Sequence, residues 1–382
     1  MMSSQTRSRI LVCSDFLYPP KGGGNLSIRS VSLELKKRGF EVHSAYFGDQ
    51  SDPDLIAHPQ PQGVLLRGLW PRLWNSDSIW RTRLRSLLNE VKPDIVIAQQ
   101  TVSIPTISVC KEFGIPVILF IRNLDDFCLG GFWTGQAKKC DYRCIGCKDA
   151  GPRIWQFPFF IMYHSRVLRL IRSADAIIAN SQNVQRILRD LLGMESLVIL
   201  PQVEAPCKDA TEMRDKILFI SPVQHKGSEI ALKIAEHMPN ESFLFVGDAK
   251  QSTIERMQRL ANVQHIHWTR DVGSIYNSSR LLIVPSISSE SFGRVCLEAM
   301  SLGIPCIVSR SGSLPETVGA SGDVVMDSLN HESWIATIQR YSDGVYYETK
   351  SNLSLSRYQE YMENLGIDNL LLTIERLLAN RR

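Results

Sequence analysis

Short apolar runs alternate with longer amphipathic stretches along the first half of the chain. Each run has the length of a buried strand, and the stretches between the runs carry apolar residues at helical spacing. Repeated alternation of this kind is typical of a parallel sheet with helices on both faces. The predicted strands of this half are Ile10–Cys13, Val42–Phe47, Ile95–Ala98, Val117–Ile121, Ala176–Ala179 and Val198–Leu200.

The alternation stops between Pro201 and Arg214, where prolines and mixed charges indicate a linker, and then starts again. A chain of 382 residues also exceeds what one core usually supports. We therefore expect an α/β protein with two doubly wound domains, residues 1–205 and 206–350. Helices over 351–382 should close the chain, and periodicity leaves open whether they return to the first domain. The predicted strands of the second half are Ile217–Ile220, Phe243–Val246, Val263–Ile266, Leu281–Val284, Cys306–Ser309 and Val324–Met326.

Charge and hydropathy exclude several classes of protein. The net charge is +4, without the dense Lys/Arg clusters and interleaved aromatic residues of nucleic-acid-binding proteins. The segment Met1–Arg9 is polar, and the apolar run after it is too short for a secretory signal. No stretch reaches the roughly 18 apolar residues of a spanning helix. We expect a cytoplasmic protein with no nucleic-acid partner.

The most informative segment is Pro285–Pro305, in which a strand end, a polar loop and a helix from about Gly293 to Leu302 follow one another. Free backbone N–H groups and the helix dipole favour an anion such as a diphosphate at the loop. Glu290 in the loop and Glu298 one turn into the helix would be repelled by phosphates unless they accept hydrogen bonds from sugar and ribose hydroxyls. Taken alone, two glutamates at this spacing are more often a helix cap and a solvated carboxylate.

The same segment resembles the signature of the retaining glycosyltransferases of group 1, or family 4, which reads E-x-F-G-x4-E-A-M followed by G-x-P. Ser311–Val318 is similar to the family's G-G-x-P-E-x-V turn, with Ser313 in place of one glycine. Leu218–Gly227 resembles the motif G-R-x4-K-G, where Lys226 matches the lysine that neutralises the donor diphosphate and Ser221 replaces the arginine. Residues that match the first signature are Glu290, Phe292, Gly293, Glu298, Ala299, Met300, Gly303 and Pro305.

This resemblance implies two facing Rossmann-like doubly wound domains, the B-type glycosyltransferase fold. It implies transfer of a sugar, with retention of configuration and without a catalytic metal, from a nucleotide-diphosphate sugar to a glycan or lipid-linked acceptor in envelope or exported polysaccharide synthesis. The resemblance assigns the catalytic roles to Glu290 and Lys226. Either Arg294 or another side chain replaces the missing arginine, or the enzyme is slow. The implied donor-binding residues are Gly23, Gly24, Ser221, Lys226, Ser291, Phe292, Gly293, Arg294 and Glu298.

Two features of the first half belong to the same interpretation. Gly22–Gly24 follows the first predicted strand and precedes an amphipathic helix, where glycines let the backbone approach a ligand. A glycine triplet alone is more often a flexible turn, but the family's P-x-x-G-G pattern makes it a wall of the donor and acceptor cleft.

Arg122 occupies the strand end where relatives carry a histidine that contacts the transferred sugar. An arginine cannot act as a base, although it can pair with phosphate or carboxylate.

Four cysteines, Cys128, Cys140, Cys144 and Cys147, are clustered in one loop. Four thiolates so spaced could enclose a structural zinc ion. Disulfides and free thiols are the alternatives, because the spacing is not one of the common finger patterns. We assign the cluster no catalytic role.

An aromatic segment, Ile154–Tyr163, precedes Arg166, Arg169 and Arg172. An aromatic face beside a cationic one could rest on the inner face of a membrane and meet a lipid-linked acceptor there. An ordinary buried helix with solvated arginines is the alternative.

Two other functions remain compatible with the sequence. A non-catalytic relative acting as a partner subunit is suggested by Ser221 and Arg122, which stand where the family carries other residues. A sugar-nucleotide epimerase on the same fold is the second. A phosphorylase is disfavoured, because no lysine lies in a setting that suggests a pyridoxal Schiff base.

Overall fold

The structure is a computed structural model that describes residues 7–20, 22–60, 76–122, 157–207, 214–269 and 271–381. The described residues form two compact units. Unit 1 contains the described residues up to 202 together with 365–381, and unit 2 contains those from 203 to 364. Each unit is built on one parallel sheet, as the alternating pattern predicted.

The sheet of unit 1 has seven strands in the order β3-β2-β1-β4-β5-β6-β7. The strand order therefore reverses at β1, which pairs with both β2 and β4. β4 and β5 are buried along their whole length, because helices cover both faces of the sheet. The strands are β1 Arg9–Ser14, β2 Glu41–Phe47, β3 Ile56–Gln60, β4 Ile95–Gln99, β5 Val117–Ile121, β6 Ala176–Ala179 and β7 Leu197–Val198. The helices before residue 202 are α1 Gly23–Lys37, α2 Ser76–Val91, α3 Ser103–Glu112, α4 Phe157–Arg172 and α5 Gln182–Leu192.

β3 has no counterpart among the strands predicted from the hydrophobic pattern. Its residues, IAHPQ, contain no apolar run, and Pro59 lacks the backbone N–H that a central strand needs. Among the strands that the structure describes, β3 lies at the edge of the sheet and pairs only with β2, and an edge strand is the position where a proline is tolerated.

The sheet of unit 2 has six strands in the order β10-β9-β8-β11-β12-β13, and its order reverses at β8. The strands are β8 Lys216–Ile220, β9 Ser242–Val246, β10 Val263–Ile266, β11 Ser279–Val284, β12 Cys306–Ser309 and β13 Asp323–Val325. The helices are α6 Ser228–His237, α7 Gln251–Gln258, α8 Val272–Asn277, α9 Arg294–Met300, α10 Leu314–Val318, α11 His331–Gln339 and α12 Gly344–Glu363.

Asp323, the first residue of β13, ties the sheet of unit 2 to the helices that follow it. Its carboxylate accepts hydrogen bonds from Tyr341 at 2.8 Å and Tyr346 at 2.6 Å, and Lys350 lies 3.5 Å away. Burial acts to raise the pKa of Asp323, but the two hydrogen bonds and the cations Lys350 and Arg340 outweigh it, so the pKa lies below its usual value. The ionised carboxylate therefore stabilises the folded unit.

The two closing helices divide between the units. α12 belongs to unit 2, whereas α13, Ile367–Ala379, packs in unit 1. Leu370, Ile374 and Leu377 of α13 lie in the same buried cluster as β1, β4 and β5. Spaced three and four residues apart, they form one apolar face of the helix.

The described half of α4 is amphipathic. Val167 and Ile171 are buried, while Arg166, Arg169 and Arg172 are exposed. This part of the helix is compatible with both interpretations, a packed helix with solvated arginines and a helix whose cationic face rests on a membrane. The aromatic side chains before it lie outside the described residues. Among the described helices, none has the length and apolar character needed to span a bilayer.

Candidate active site

Two loops of unit 2 leave the sheet at the point where its strand order reverses. One follows β8 and contains a short 3-10 turn, Gln224–Lys226, and the other follows β11 and leads into α9. In open parallel sheets, ligands bind beyond the carboxyl ends of the strands at this reversal. The two loops are joined by backbone hydrogen bonds. The carbonyl oxygen of His225 in the first loop accepts them from Ile287 N at 3.0 Å and Ser288 N at 3.1 Å in the second.

The two predicted catalytic residues form an ion pair across these loops. Lys226 Nζ lies 2.5 Å from Glu290 Oε1, and both side chains are mostly buried. Ser286 Oγ donates a second hydrogen bond to the same carboxylate oxygen at 2.6 Å. The lysine ammonium and the glutamate carboxylate, separated by 64 residues in sequence, therefore lie at one place in the fold.

Two glycines allow the loops to approach so closely. Gly227 has a φ of +86°, and a Cβ there would overlap the carbonyl oxygen of Pro285. Gly312 has a φ of +59°, and a Cβ there would overlap the backbone of Glu290. Both positions require a conformation that side chains disfavour and a space that no side chain could share.

The turn after β12 holds the Glu290 loop in place. Ser313 N donates to Glu290 O at 2.7 Å, and Ser313 Oγ donates to Ser291 O at 2.9 Å. Thr317 Oγ1 donates to Phe292 O. Ser313, which replaces a glycine of the family motif, thus contributes a hydrogen bond that glycine would lack.

Glu298 belongs to a neighbouring cluster on α9. Its two carboxylate oxygens accept hydrogen bonds from Arg294 Nε and Tyr276 OH, each at 2.7 Å. Tyr276 is fully buried, and its burial together with the charge of Glu298 raises its pKa well above the usual value. Its hydroxyl therefore stays protonated and donates to the carboxylate.

The loop before α9 offers backbone donors. Among the described residues, no acceptor is bonded to the N–H groups of Phe292 and Gly293. The ring of Phe292 is buried and contacts Tyr361, with 5.4 Å between ring centroids. The side chain of Phe292 therefore anchors the loop and is not available as a polar group of the site.

Comparison with known proteins identifies the family. Residues 21–202 match the family described as Glycosyltransferase Family 4, and residues 214–343 match Glycosyl transferases group 1. A D-inositol 3-phosphate glycosyltransferase of Corynebacterium kroppenstedtii is 35% identical over 400 aligned positions, which cover 90% of this chain and 84% of that protein. The chain belongs to glycosyltransferase family 4.

Another glycosyltransferase is similar to this chain over a shorter stretch. An O-antigen chain mannosyltransferase B of Escherichia coli is 32% identical over 101 residues, which cover 23% of this chain and 26% of that protein.

Solved structures confirm the fold of this family 4 glycosyltransferase. Sucrose-phosphate synthase from Thermosynechococcus elongatus has a TM-score of 0.77 at 17% identity and covers 98% of this chain and 100% of its own. Alr3699/HepE of Anabaena, in complex with UDP and glucose, has a TM-score of 0.71 at 16% identity, with 96% and 98% covered. The predicted B-type fold with two Rossmann-like domains is thereby confirmed.

The remaining donor-binding residues predicted for this glycosyltransferase lie at strand or helix ends. Ser221 follows β8 with a φ of +66°, and its N–H donates to Val246 O at 2.7 Å. Gly23 and Gly24 form the first turn of α1 in unit 1, and a Cβ on Gly24 would contact Gln100 and Arg122.

The cysteines Cys128, Cys140, Cys144 and Cys147 of this glycosyltransferase lie outside the described residues. Within the described residues, no group of three or more His, Cys, Asp and Glu side chains is placed to bind a metal ion.

Two hydrogen-bond partners of the site residues in this glycosyltransferase were not predicted from the sequence. Tyr276, which fixes Glu298, is a single tyrosine in a helix and carries no signal of its own. Ser286, which fixes Glu290, lies four residues before it in the loop. A serine at this spacing from a loop carboxylate was the available signal.

Proposed function

We propose that this family 4 glycosyltransferase transfers a hexosyl group from a nucleotide-diphosphate sugar to a glycan or lipid-linked acceptor with retention of configuration. The observation that carries the proposal is the Lys226–Glu290 ion pair at the carboxyl edge of the unit 2 sheet. The structure of HepE, which contains UDP and glucose, supports a nucleotide-sugar donor for the fold.

Lys226 neutralises the diphosphate of the donor. An ammonium is a compact point charge, and placed at the leaving group it stabilises the negative charge that develops in the transition state. The free N–H groups of Phe292 and Gly293 bind the same diphosphate. α9 has only seven residues, so its dipole adds less than these direct donors.

Glu290 binds a hydroxyl group of the transferred sugar. Ser286 keeps its carboxylate in place when Lys226 turns from the glutamate to the phosphates. Glu298, already fixed by Tyr276 and Arg294, accepts hydrogen bonds from the nucleotide ribose.

The transfer needs no basic side chain. The acceptor hydroxyl oxygen forms a bond to the anomeric carbon while the bond from that carbon to the phosphate oxygen breaks on the same face. The departing phosphate oxygen takes the acceptor proton. We propose that no metal ion takes part, because Lys226 and backbone N–H groups supply the positive charge.

We further propose that the reaction serves envelope or exported polysaccharide synthesis in the cytoplasm, with peripheral contact at the inner face of a membrane. The exposed arginines Arg166 and Arg169 of α4 support contact with anionic lipid. The O-antigen mannosyltransferase among the similar proteins supports the polysaccharide role.

The decisive experiment measures turnover of UDP- and GDP-sugars, with and without EDTA, by the purified protein and by Glu290→Gln. We expect hydrolysis or transfer that EDTA leaves unchanged and Glu290→Gln lowers at least tenfold. Glu229→Gln, an exposed glutamate on α6, is the matched control and should behave as the wild type. No turnover of any donor would support a non-catalytic partner subunit, and donor interconversion without acceptor would support an epimerase.

A further inference from the structure

A buried guanidinium group lies at the carboxyl edge of the unit 1 sheet. Arg122 directly follows β5 and is only 7% exposed. Its Nε donates to Gln99 Oε1 at 3.2 Å, and its guanidinium carbon lies 4.7 Å from the centroid of the Phe120 ring. Its Nη2 is buried and, within the part of the chain that the structure describes, has no hydrogen-bond acceptor. Among the described residues, no carboxylate forms an ion pair with it.

This arrangement is unfavourable for a charged group without a ligand. A buried charge is energetically costly unless it is paired with an opposite charge. A guanidinium group carries only hydrogen-bond donors, so each buried N–H group needs an acceptor from another group. Burial lowers the pKa of Arg122 to about 9, so the group is still protonated at neutral pH. The missing partner of Arg122 is therefore an anion.

Gly24 and Gln100 are neighbours of Arg122. Gly24 leaves space for such an anion, and Gln100 provides a second hydrogen-bond donor. Gln100 accepts a hydrogen bond from Ser14 Oγ through Oε1 at 3.3 Å, while its Nε2 donates to no described residue. A Cβ on Gly24 would lie 3.4 Å from Gln100 Nε2 and 3.8 Å from Arg122 Cβ. The glycine leaves open a space that both side chains border.

Arg122, Gln100 and Gly24, which we call the Arg122 cluster, lie at the edge where parallel sheets of this class bind ligands. Gln100 directly follows β4, which pairs with β1 at the reversal of strand order, and Gly24 belongs to the helix after β1. Ligands of open parallel sheets bind at this reversal. The cation is thus at the ligand-binding edge of unit 1 and outside the apolar core.

We propose that the Arg122 cluster binds an oxyanion of the acceptor, a carboxylate or a phosphate, so that the protein glycosylates an anionic acceptor. The inference rests on the proposed function, in which unit 2 binds the donor and Lys226 already neutralises its diphosphate. Arginine binds both oxygens of such groups through its planar donors, and Gln100 Nε2 adds a further hydrogen bond.

Calorimetric binding of glucuronate, glucose 6-phosphate, glucose and UDP tests the proposal and distinguishes the sources of the oxyanion. We expect glucuronate or glucose 6-phosphate to bind the wild type at least tenfold more tightly than glucose. Arg122→Met should abolish this preference and leave UDP binding unchanged. Arg85→Met removes the same charge from a half-exposed arginine paired with Glu112 and should behave as the wild type.

Three results would overturn the assignment. The first is equal binding of glucose and both anionic sugars by the wild type. The second is an unchanged preference in Arg122→Met. The third is loss of UDP binding in Arg122→Met, whatever the sugar preference, which would show that the oxyanion is the diphosphate of the donor.

Gly24→Ala separates a binding defect from a folding defect. Alanine fits the helical backbone at this position and favours it, so the melting temperature should stay constant or rise. The added methyl group occupies the space beside Gln100 and Arg122, so affinity for the anionic sugar should fall several-fold. Unchanged affinity would contradict the proposal. Donor hydrolysis without acceptor, measured on the same samples, tests the proposed function separately.

Discussion

Replacing Gly227 by alanine tests how closely the two loops of unit 2 must approach. Alanine at a φ of +86° costs about 1 kcal/mol, and the overlap of its Cβ with the Pro285 carbonyl adds about 2 kcal/mol, as for overpacking. A total of about 3 kcal/mol corresponds to a fall of roughly 9 °C in the melting temperature of a domain of this size.

Gly39→Ala is the matched control, because Gly39 has a φ of +95° but nothing within contact distance of an added Cβ. It should cost only the conformational part, about 1 kcal/mol, or roughly 3 °C. Scanning calorimetry of both variants measures the difference. Equal destabilisation by the two substitutions would refute the claim that the Pro285 carbonyl excludes a side chain at position 227.

The same substitution should also impair catalysis, because Gly227 directly follows Lys226. A shift of the 3-10 turn moves the ammonium away from Glu290, and misplacement of a catalytic group by about 1 Å can cost about 100-fold in rate. We expect kcat/KM of Gly227→Ala to fall at least tenfold at a temperature where the variant is folded. A variant with wild-type kcat/KM would show that the pair tolerates displacement.

Three further predictions follow from the site and its unit. Lys226→Met should lower donor kcat/KM by about 10²–10³-fold in a turnover assay, whereas Lys233→Met, an exposed lysine on α6, should leave it unchanged. Tyr276→Phe removes a buried hydrogen-bond donor from Glu298, so it should lower the free energy of unfolding by about 1–2 kcal/mol in a denaturant titration and weaken UDP binding. Wild-type UDP affinity in this variant would argue against a role of Glu298 in nucleotide binding. Asp323→Asn should flatten the acid dependence of thermal stability. The pKa of Asp323 in the folded protein lies below its usual value, so its ionised carboxylate stabilises the fold above about pH 4, and this stabilisation is lost as pH falls through the folded pKa. An unchanged acid limb in Asp323→Asn would assign that stability to other carboxylates.

Strands that are buried on both faces could be predicted directly from their apolar runs. β4 is apolar up to Gln99 and β5 is apolar throughout, because helices cover both faces of the sheet there, so the pattern and the structure agree within a residue. β3 has one neighbour and a mixed composition, and its pairing with β2 is decided by tertiary structure.

The residues of the candidate site that belong to a family motif could be predicted from the sequence. The resemblance brought together Lys226 and Glu290, which are 64 residues apart, and no periodicity could have done so. Tyr276 and the burial of Arg122 depend on packing between elements distant in sequence, for which single residues carry no pattern. The roles of Ser221, Ser291 and Arg294 in donor binding remain predictions.

The position of α13 has a consequence for the order of folding during synthesis. Unit 2 is complete at residue 364, so a nascent chain contains all of it before the last helix has emerged. Leu370, Ile374 and Leu377 fill the core of unit 1 only afterwards. The unit translated first is therefore the unit completed last, and a chain truncated after residue 364 would contain all of the described residues of unit 2 but leave the buried cluster of unit 1 without Leu370, Ile374 and Leu377.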